Sequence, residues 1–171
     1  GLLRERAVFA HCLHMDDADR ASMSAHGGAA AFCPTSNLFL GSGLFDLPAF
    51  RHAGIRCGLG TDVGGGTSLS LLKTASEAYK VLHLQEHALP ATRALYLATL
   101  GAAEALYLDD KIGNFAGGKE ADFVVLDFEG SNLTARRTAA AETIEEKLFA
   151  LITLADDRNI EATYVNGIKA H

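Results

Sequence analysis

Three short apolar runs divide the first third of the chain: Ala7-Val8-Phe9-Ala10-His11, Ala29-Ala30-Ala31-Phe32-Cys33 and Ile55-Arg56-Cys57-Gly58-Leu59-Gly60. None alternates strictly between apolar and polar positions, which is the pattern of strands covered on both faces, as in a parallel sheet. Each run ends in polar residues: His11 closes the first, Pro34-Thr35-Ser36-Asn37 follows the second, and Thr61-Asp62 follows the third. Helix-sized segments with end signals lie between them. Asp16 or Asp17 is placed to cap a helix from Ala18 to His26 that Gly27-Gly28 stops, and Asp46, with Pro48 just inside, begins a shorter one that Gly54 ends. His11 and Cys33 are 22 residues apart and Cys33 and Asp62 are 29 apart. Each interval is the span of one strand–helix unit, so three parallel βα units are predicted.

Beyond Asp62, Val63-Gly64-Gly65-Gly66 leads to Thr67 and Ser68, either of which is placed to cap a long helix. Its apolar positions Leu69, Leu72, Ala75, Tyr79 and Leu82 recur every three or four residues. Pro90 suits the first turn of a further helix carrying Ala94, Leu95, Ala98, Ala102 and Leu106. The pattern then changes. Ile112-Gly113-Asn114-Phe115 and Gly117-Gly118 precede the strand-like run Ala121 to Asp127; a helix is predicted over Glu142 to Leu154, and Ala162 to Gly167 reads as a strand entering an Asn-Gly turn. A boundary near Asp109–Lys111 separates residues 1–110 from 111–171.

Composition narrows the class. The chain has 171 residues, 15 Lys+Arg against 21 Asp+Glu, a net charge of −6 and 49% apolar residues. That is too apolar for a disordered chain, and the acidic balance opposes a general nucleic-acid binder, which needs a basic face. No uncharged apolar run approaches the ~18 residues of a membrane span. Gly1 to Arg6 offers neither a signal-peptide core nor an initiating Met, so the expectation is a cytoplasmic chain beginning partway through a longer protein. Cys12, Cys33 and Cys57 are odd in number and form no Cys-x-x-Cys. They are expected to be buried, reduced thiols, and three cannot make a tetrathiolate zinc site.

In parallel α/β architectures the working residues gather at the carboxyl ends of the strands. Here those ends hold His11, Pro34-Thr35-Ser36-Asn37 and Asp62. An imidazole and a carboxylate at one mouth suit a metal, or an acid and a base acting on water. His14 is a possible second ligand but is expected to be a loop histidine, while His26, His52, His83 and His87 are expected on helix surfaces. Gly64-Gly65-Gly66 before a helix could cradle phosphate, yet it lacks the lysine of a P-loop. Catalytic zinc takes about three protein ligands, and His11 and Asp62 supply two at most. Three strands are likewise three-eighths of an eight-stranded barrel, which takes roughly 250 residues.

Phe9-Ala10-His11-Cys12, then Pro34-Thr35-Ser36-Asn37-Leu38-Phe39-Leu40-Gly41-Ser42-Gly43, then Gly60-Thr61-Asp62-Val63-Gly64-Gly65-Gly66-Thr67-Ser68 resemble the amidohydrolase superfamily and, within it, the guanine deaminases. Ala98 to Ala103, Ile112 to Phe115 and Gly118 to Asp127 are similar to that family's exit from its barrel into a small β-domain. The resemblance extends over essentially the whole chain. It implies an α/β fold comprising strands six to eight and their helices from a (β/α)8 barrel, plus part of a small β-sandwich domain.

It also implies the chemistry: one zinc ion, water attacking the amino-bearing carbon of guanine, and release of ammonia to leave xanthine. Asp62 matches the aspartate after the eighth strand, a zinc ligand that helps move the proton of the attacking water. His11 matches the histidine after the sixth strand, which contacts that water or the substrate. Both are therefore catalytic and substrate-binding candidates, with Asp62 the metal ligand. The family's His-x-His pair, third zinc histidine and proton-shuttling glutamate have no counterpart here, so the expectation is a C-terminal portion that is inactive alone. The implied partners are guanine and a second copy in a homodimer, without nucleic acid or membrane. The rival readings are another amidohydrolase (a nucleobase deaminase or a chlorohydrolase) and a non-catalytic fragment that self-associates through open strand edges.

Overall fold

A computed structural model describes residues 1–170. β1 (Val8–Ala10), β2 (Ala29–Phe32) and β3 (Arg56–Leu59) form a parallel sheet in that spatial order. Ala10 lies opposite Ala31, and Ala31 opposite Gly58, so the three strands end level with one another. The pairing continues one residue past the strands: His11 N–H donates to Ala31 O (3.1 Å) and Gly60 N–H to Phe32 O (2.9 Å). This brings the polar strand ends to one edge of the sheet.

The helices between the strands follow the predicted signals. α1 (Asp17–Ala25) starts at Asp16, whose carboxylate accepts from Asp19 N–H in a reciprocal capping box. α3 (Leu47–His52) starts at Asp46, which accepts from Ala49 N–H (2.9 Å). The Pro34-Thr35-Ser36-Asn37 segment is itself helical, opening α2 (Pro34–Leu40) with the proline in its first turn.

Two helix ends differ from the sequence reading. α4 spans Leu71–Leu84 and is capped by Ser70, not by Thr67 or Ser68. Ser70 Oγ accepts from Lys73 N–H, while Ser68 Oγ accepts from Ser70 N–H and so orders the approach to the helix. The single helix expected after Pro90 is two, α5 (Ala91–Ala98) and α6 (Leu100–Leu106), broken at Thr99 with φ −127° and ψ −99°. The Thr99 hydroxyl donates back to Leu95 O (2.7 Å), a local bond that competes with helix continuation.

The core lies between this sheet and α3, α4 and α5. Phe45 is its centre, with ring centroids 4.7 Å from Phe32 and 4.6 Å from Phe50, and Met23, Leu47, Val81 and Leu97 close around them. α6 crosses β3 closely enough that a Cβ on Gly58 would stand 2.8 Å from Ala102 Cα.

After α6 the chain builds an antiparallel sheet, β4 (Phe123–Leu126), β5 (Ile160–Val165) and β6 (Ile168–Lys169), with β5 central. Asn166 and Gly167 make the predicted turn with φ of 49° and 75°. Between β4 and β5 come α7 (Asn132–Ala139), which the sequence reading missed, and α8 (Ile144–Leu154), capped by Thr143 and Glu146. α8 packs against α4 and α5, and its Ile152 belongs to the same core as Phe45.

Candidate active site

His11, Asn37 and Asp62 come from three successive βα units and meet at the carboxyl edge of the parallel sheet. His11 Nε2 lies 3.6 Å from Asp62 Oδ2, and their side chains are 41% and 39% exposed, so the pair faces outward from the sheet edge. The other ring nitrogen, Nδ1, is 2.8 Å from Asn37 Oδ1. Asn37 is only 1% exposed, being held in the first turn of α2.

The backbone at both strand tips is unusual. His11 and Cys12 have φ of 69° and 51°, and Asp62 has φ of 47°. Non-glycine residues rarely occupy this left-handed region, and such conformations concentrate at functional sites. After Asp62 the chain turns sharply: Gly66 N–H donates to Asp62 O (2.5 Å) and Gly64 N–H to Gly66 O (3.3 Å). A Cβ on Gly66 would stand 1.9 Å from Thr61 O, so only glycine fits there. These amides are spent within the loop, and α4 begins only at Leu71; the loop is therefore a device for aiming Asp62 rather than a phosphate cradle.

Beneath the pair the packing is tight. Ser36 is fully buried, and a Cβ on Gly65 would come within 2.5 Å of Ser36 Oγ and 3.5 Å of Asp62 Oδ2. Thr35 Oγ1 donates to Thr61 O (3.3 Å), tying α2 to the segment that carries Asp62. Cys33 is buried with Sγ against the backbone of Gly60, and burial, reinforced by the negative charge of Asp62, pushes its thiol up to about 11. Cys57 is pushed up to about 12, again chiefly by burial, and Cys12 is raised for the same reason. No disulfide joins the three.

The other described histidines stay apart from this pair. His14, His26, His52, His83 and His87 are all exposed, and among the described residues no group of three His, Cys, Asp or Glu side chains converges on a common point. An imidazole nitrogen and a carboxylate oxygen are apt donors for a borderline divalent ion such as zinc. They fit such an ion as part of a donor set. Asn37 was quoted in the sequence only as part of a strand-end motif, and its role in holding His11 was missed. The available signal was an amide-bearing residue three positions after Pro34, where the chain must turn inward.

Sheet and strand tips together define an α/β protein of parallel βα units with a paired imidazole and carboxylate at its mouth. The chain belongs to the amidohydrolase family, whose model matches residues 1–169. It is 49% identical over 167 residues to the guanine deaminase of Escherichia coli K12, covering 98% of this chain and 38% of that protein. The solved E. coli guanine deaminase superposes with a TM-score of 0.98 at 48% identity, over 100% of this chain and 40% of that one. A guanine deaminase from C. acetobutylicum with guanine bound in its active site gives 0.81 at 29% identity, over 95% and 38%. An adenosine deaminase from Xanthomonas campestris with bound zinc gives 0.84 at 26%, over 98% and 37%. The chain thus spans about two-fifths of the length of the proteins it matches.

Proposed function

We propose that this chain is the C-terminal portion of a guanine deaminase, and that the longer protein hydrolyses guanine to xanthine and ammonia. On this reading residues 1–110 supply strands six to eight of a (β/α)8 barrel, and 111–171 part of its small β-domain. The observation that carries the reading is the 3.6 Å approach of His11 to Asp62 at a shared strand edge, in a chain that matches guanine deaminases over 98% of its length. Asp62 would hold the zinc ion together with donors from outside these 171 residues. Zinc, when bound, lowers the pKa of water toward ~7 and so supplies a nucleophile at neutral pH.

The protein's own groups do the rest. Asp62, aimed by its glycine turn, helps take up the proton of the attacking water, and its onward transfer to the departing amine falls to the shuttling glutamate supplied from outside these 171 residues. His11, held at Nδ1 by Asn37, offers Nε2 as a hydrogen-bond partner to that water or to the purine. The same reading makes the enzyme a cytoplasmic homodimer. No described helix is long and apolar enough to cross a membrane.

Ammonia release from guanine by the intact protein tests the assignment. Turnover of guanine is the expected result; no ammonia from guanine, with adenosine or a cytosine derivative hydrolysed instead, overturns the choice of substrate. The second reading, another amidohydrolase, draws on the likeness to a zinc-containing adenosine deaminase, and that substrate panel separates the two.

A further inference from the structure

We propose that Asn37 is the positioning residue that sets which nitrogen of His11 faces the reaction. The proposal deepens the functional reading above and rests on it only for its kinetic arm. An amide oxygen is an acceptor alone, so with Oδ1 of Asn37 turned toward the ring, the nitrogen 2.8 Å away is assigned the hydrogen. A neutral imidazole with hydrogen on Nδ1 has a bare Nε2. That Nε2 faces Asp62 Oδ2 across 3.6 Å, so two acceptors point into the same space. The arrangement suits a proton donor or a cation between or beside them, whereas in the opposite tautomer an Nε2–H would face the Asp62 carboxylate and occupy that space itself.

Asn37 is built to impose this choice. It is 1% exposed, its backbone N–H donates to Cys33 O (3.0 Å) and its carbonyl accepts from Ser42 N–H (2.9 Å), so neither main chain nor side chain is free to turn away. Its Nδ2 is buried without a partner among the described residues. A buried amide with half its hydrogen bonding unmet is costly for folding alone, which accords with a place kept for what Oδ1 does. The left-handed φ of 69° at His11 aims the ring at it from β1. Ligand-type histidines are commonly fixed in this way by a partner on the second nitrogen.

The experiment is nitrogen NMR on the intact protein labelled at histidine, at mildly alkaline pH, where neutral rings report their tautomer directly. His11 is assigned as the signal lost in His11→Gln. The expected result is a protonated Nδ1 and a bare Nε2; a protonated Nε2 in the wild-type protein overturns the proposal without any further variant. Asn37→Leu, similar in size but lacking the acceptor, should give a mixed or reversed tautomer. Asn37→Asp, which keeps an acceptor at the same place, should restore the wild-type pattern. If Asn37→Leu folds and leaves the tautomer unchanged, the proposal is wrong.

In turnover of guanine, Asn37→Leu should lower kcat by ~10–100-fold with KM altered by less than about threefold, and Asn37→Asp should recover most of the loss. A wild-type tautomer as stated together with no guanine turnover would remove the substrate assignment and leave the positioning role standing.

Discussion

Asp62 is the residue on which most depends. It sits at φ 47°, and the loop behind it tolerates no side chain at Gly66. On the proposed reading, replacing Asp62 by Ala in the intact protein removes a metal ligand and a proton acceptor together, so kcat should fall by at least ~10³, where acid–base help alone typically gives 10²–10⁴. A loss under tenfold in steady-state deamination would contradict the role. Cys33 behaves differently. Its sulfur fills the space under Gly60, and Cys33→Ser puts a hydroxyl there, at a cost of ~1–3 kcal/mol. Thermal unfolding should register this as a lower Tm while kcat stays nearly constant.

The thiols also set an alkaline limit. Folding holds the Cys33 and Cys57 protons to about 11 and about 12, against an ordinary value of 9.0. Below about 9 both states keep the proton and the contribution is fully present. Above it the unfolded chain ionises first, so stability is lost as pH rises through about 9 to 12. Urea unfolding across that range should show a shallower decline for Cys57→Ala than for the wild type, and identical slopes would refute the burial-driven shift.

At the scale of elements, the sequence was most readable where apolar periodicity and capping agree. Asp16 and Asp46 mark real helix starts, the helix predicted from Glu142 begins at Ile144, and the runs at Val8, Ala29 and Arg56 are real parallel strands. It was least readable where side chains compete with the backbone. Thr67 and Ser68 look like caps, but Ser68 Oγ instead accepts from Ser70 N–H in the approach, and the helix starts only after Ser70. Leu95 to Leu106 has continuous apolar spacing, yet Thr99 bonds back to Leu95 and the helix breaks.

α7 was invisible because its buried face is threonine, not apolar. Thr138 donates to Thr134 O (2.8 Å), and Thr134 Oγ1 accepts from the fully buried Asn159 (3.2 Å). In the site, His11 and Asp62 were legible as strand ends, but the hold of Asn37 on His11 depends on α2 turning inward, which no periodicity announces. One element-level contact makes a sharp test. Gly58→Val would drive a branched side chain into Ala102 on α6, and overpacking of this kind costs ~1–3 kcal/mol. A lower urea midpoint with unchanged slope is expected; an unchanged midpoint would mean that α6 yields freely.

At the scale of the whole molecule, what matters is what three strands can and cannot do. β2 is paired on both sides, whereas β1 and β3 each have one side without a strand partner among the described residues. Such edges are templates for association. A second incompleteness lies between α5–α6 and the antiparallel sheet, where an apolar cleft of about 520 Å³ is lined by Ala102, Leu106, Phe115, Phe123 and Val124 among others. Phe115 on its rim is 85% exposed. The donor set has the same character, with two convergent groups where catalytic zinc takes about three.

These features lead to one expectation for the 171 residues on their own. On the proposed reading they should bind zinc weakly, release no ammonia from guanine and associate through the open edges of the parallel sheet, whereas the intact protein should bind zinc tightly and turn over guanine. Zinc titration with sedimentation on the same sample decides the matter. Tight, stoichiometric zinc binding by a monomer would show that His11 and Asp62 find their missing partners within this chain, and the proposal that the remaining donors lie outside it would fall.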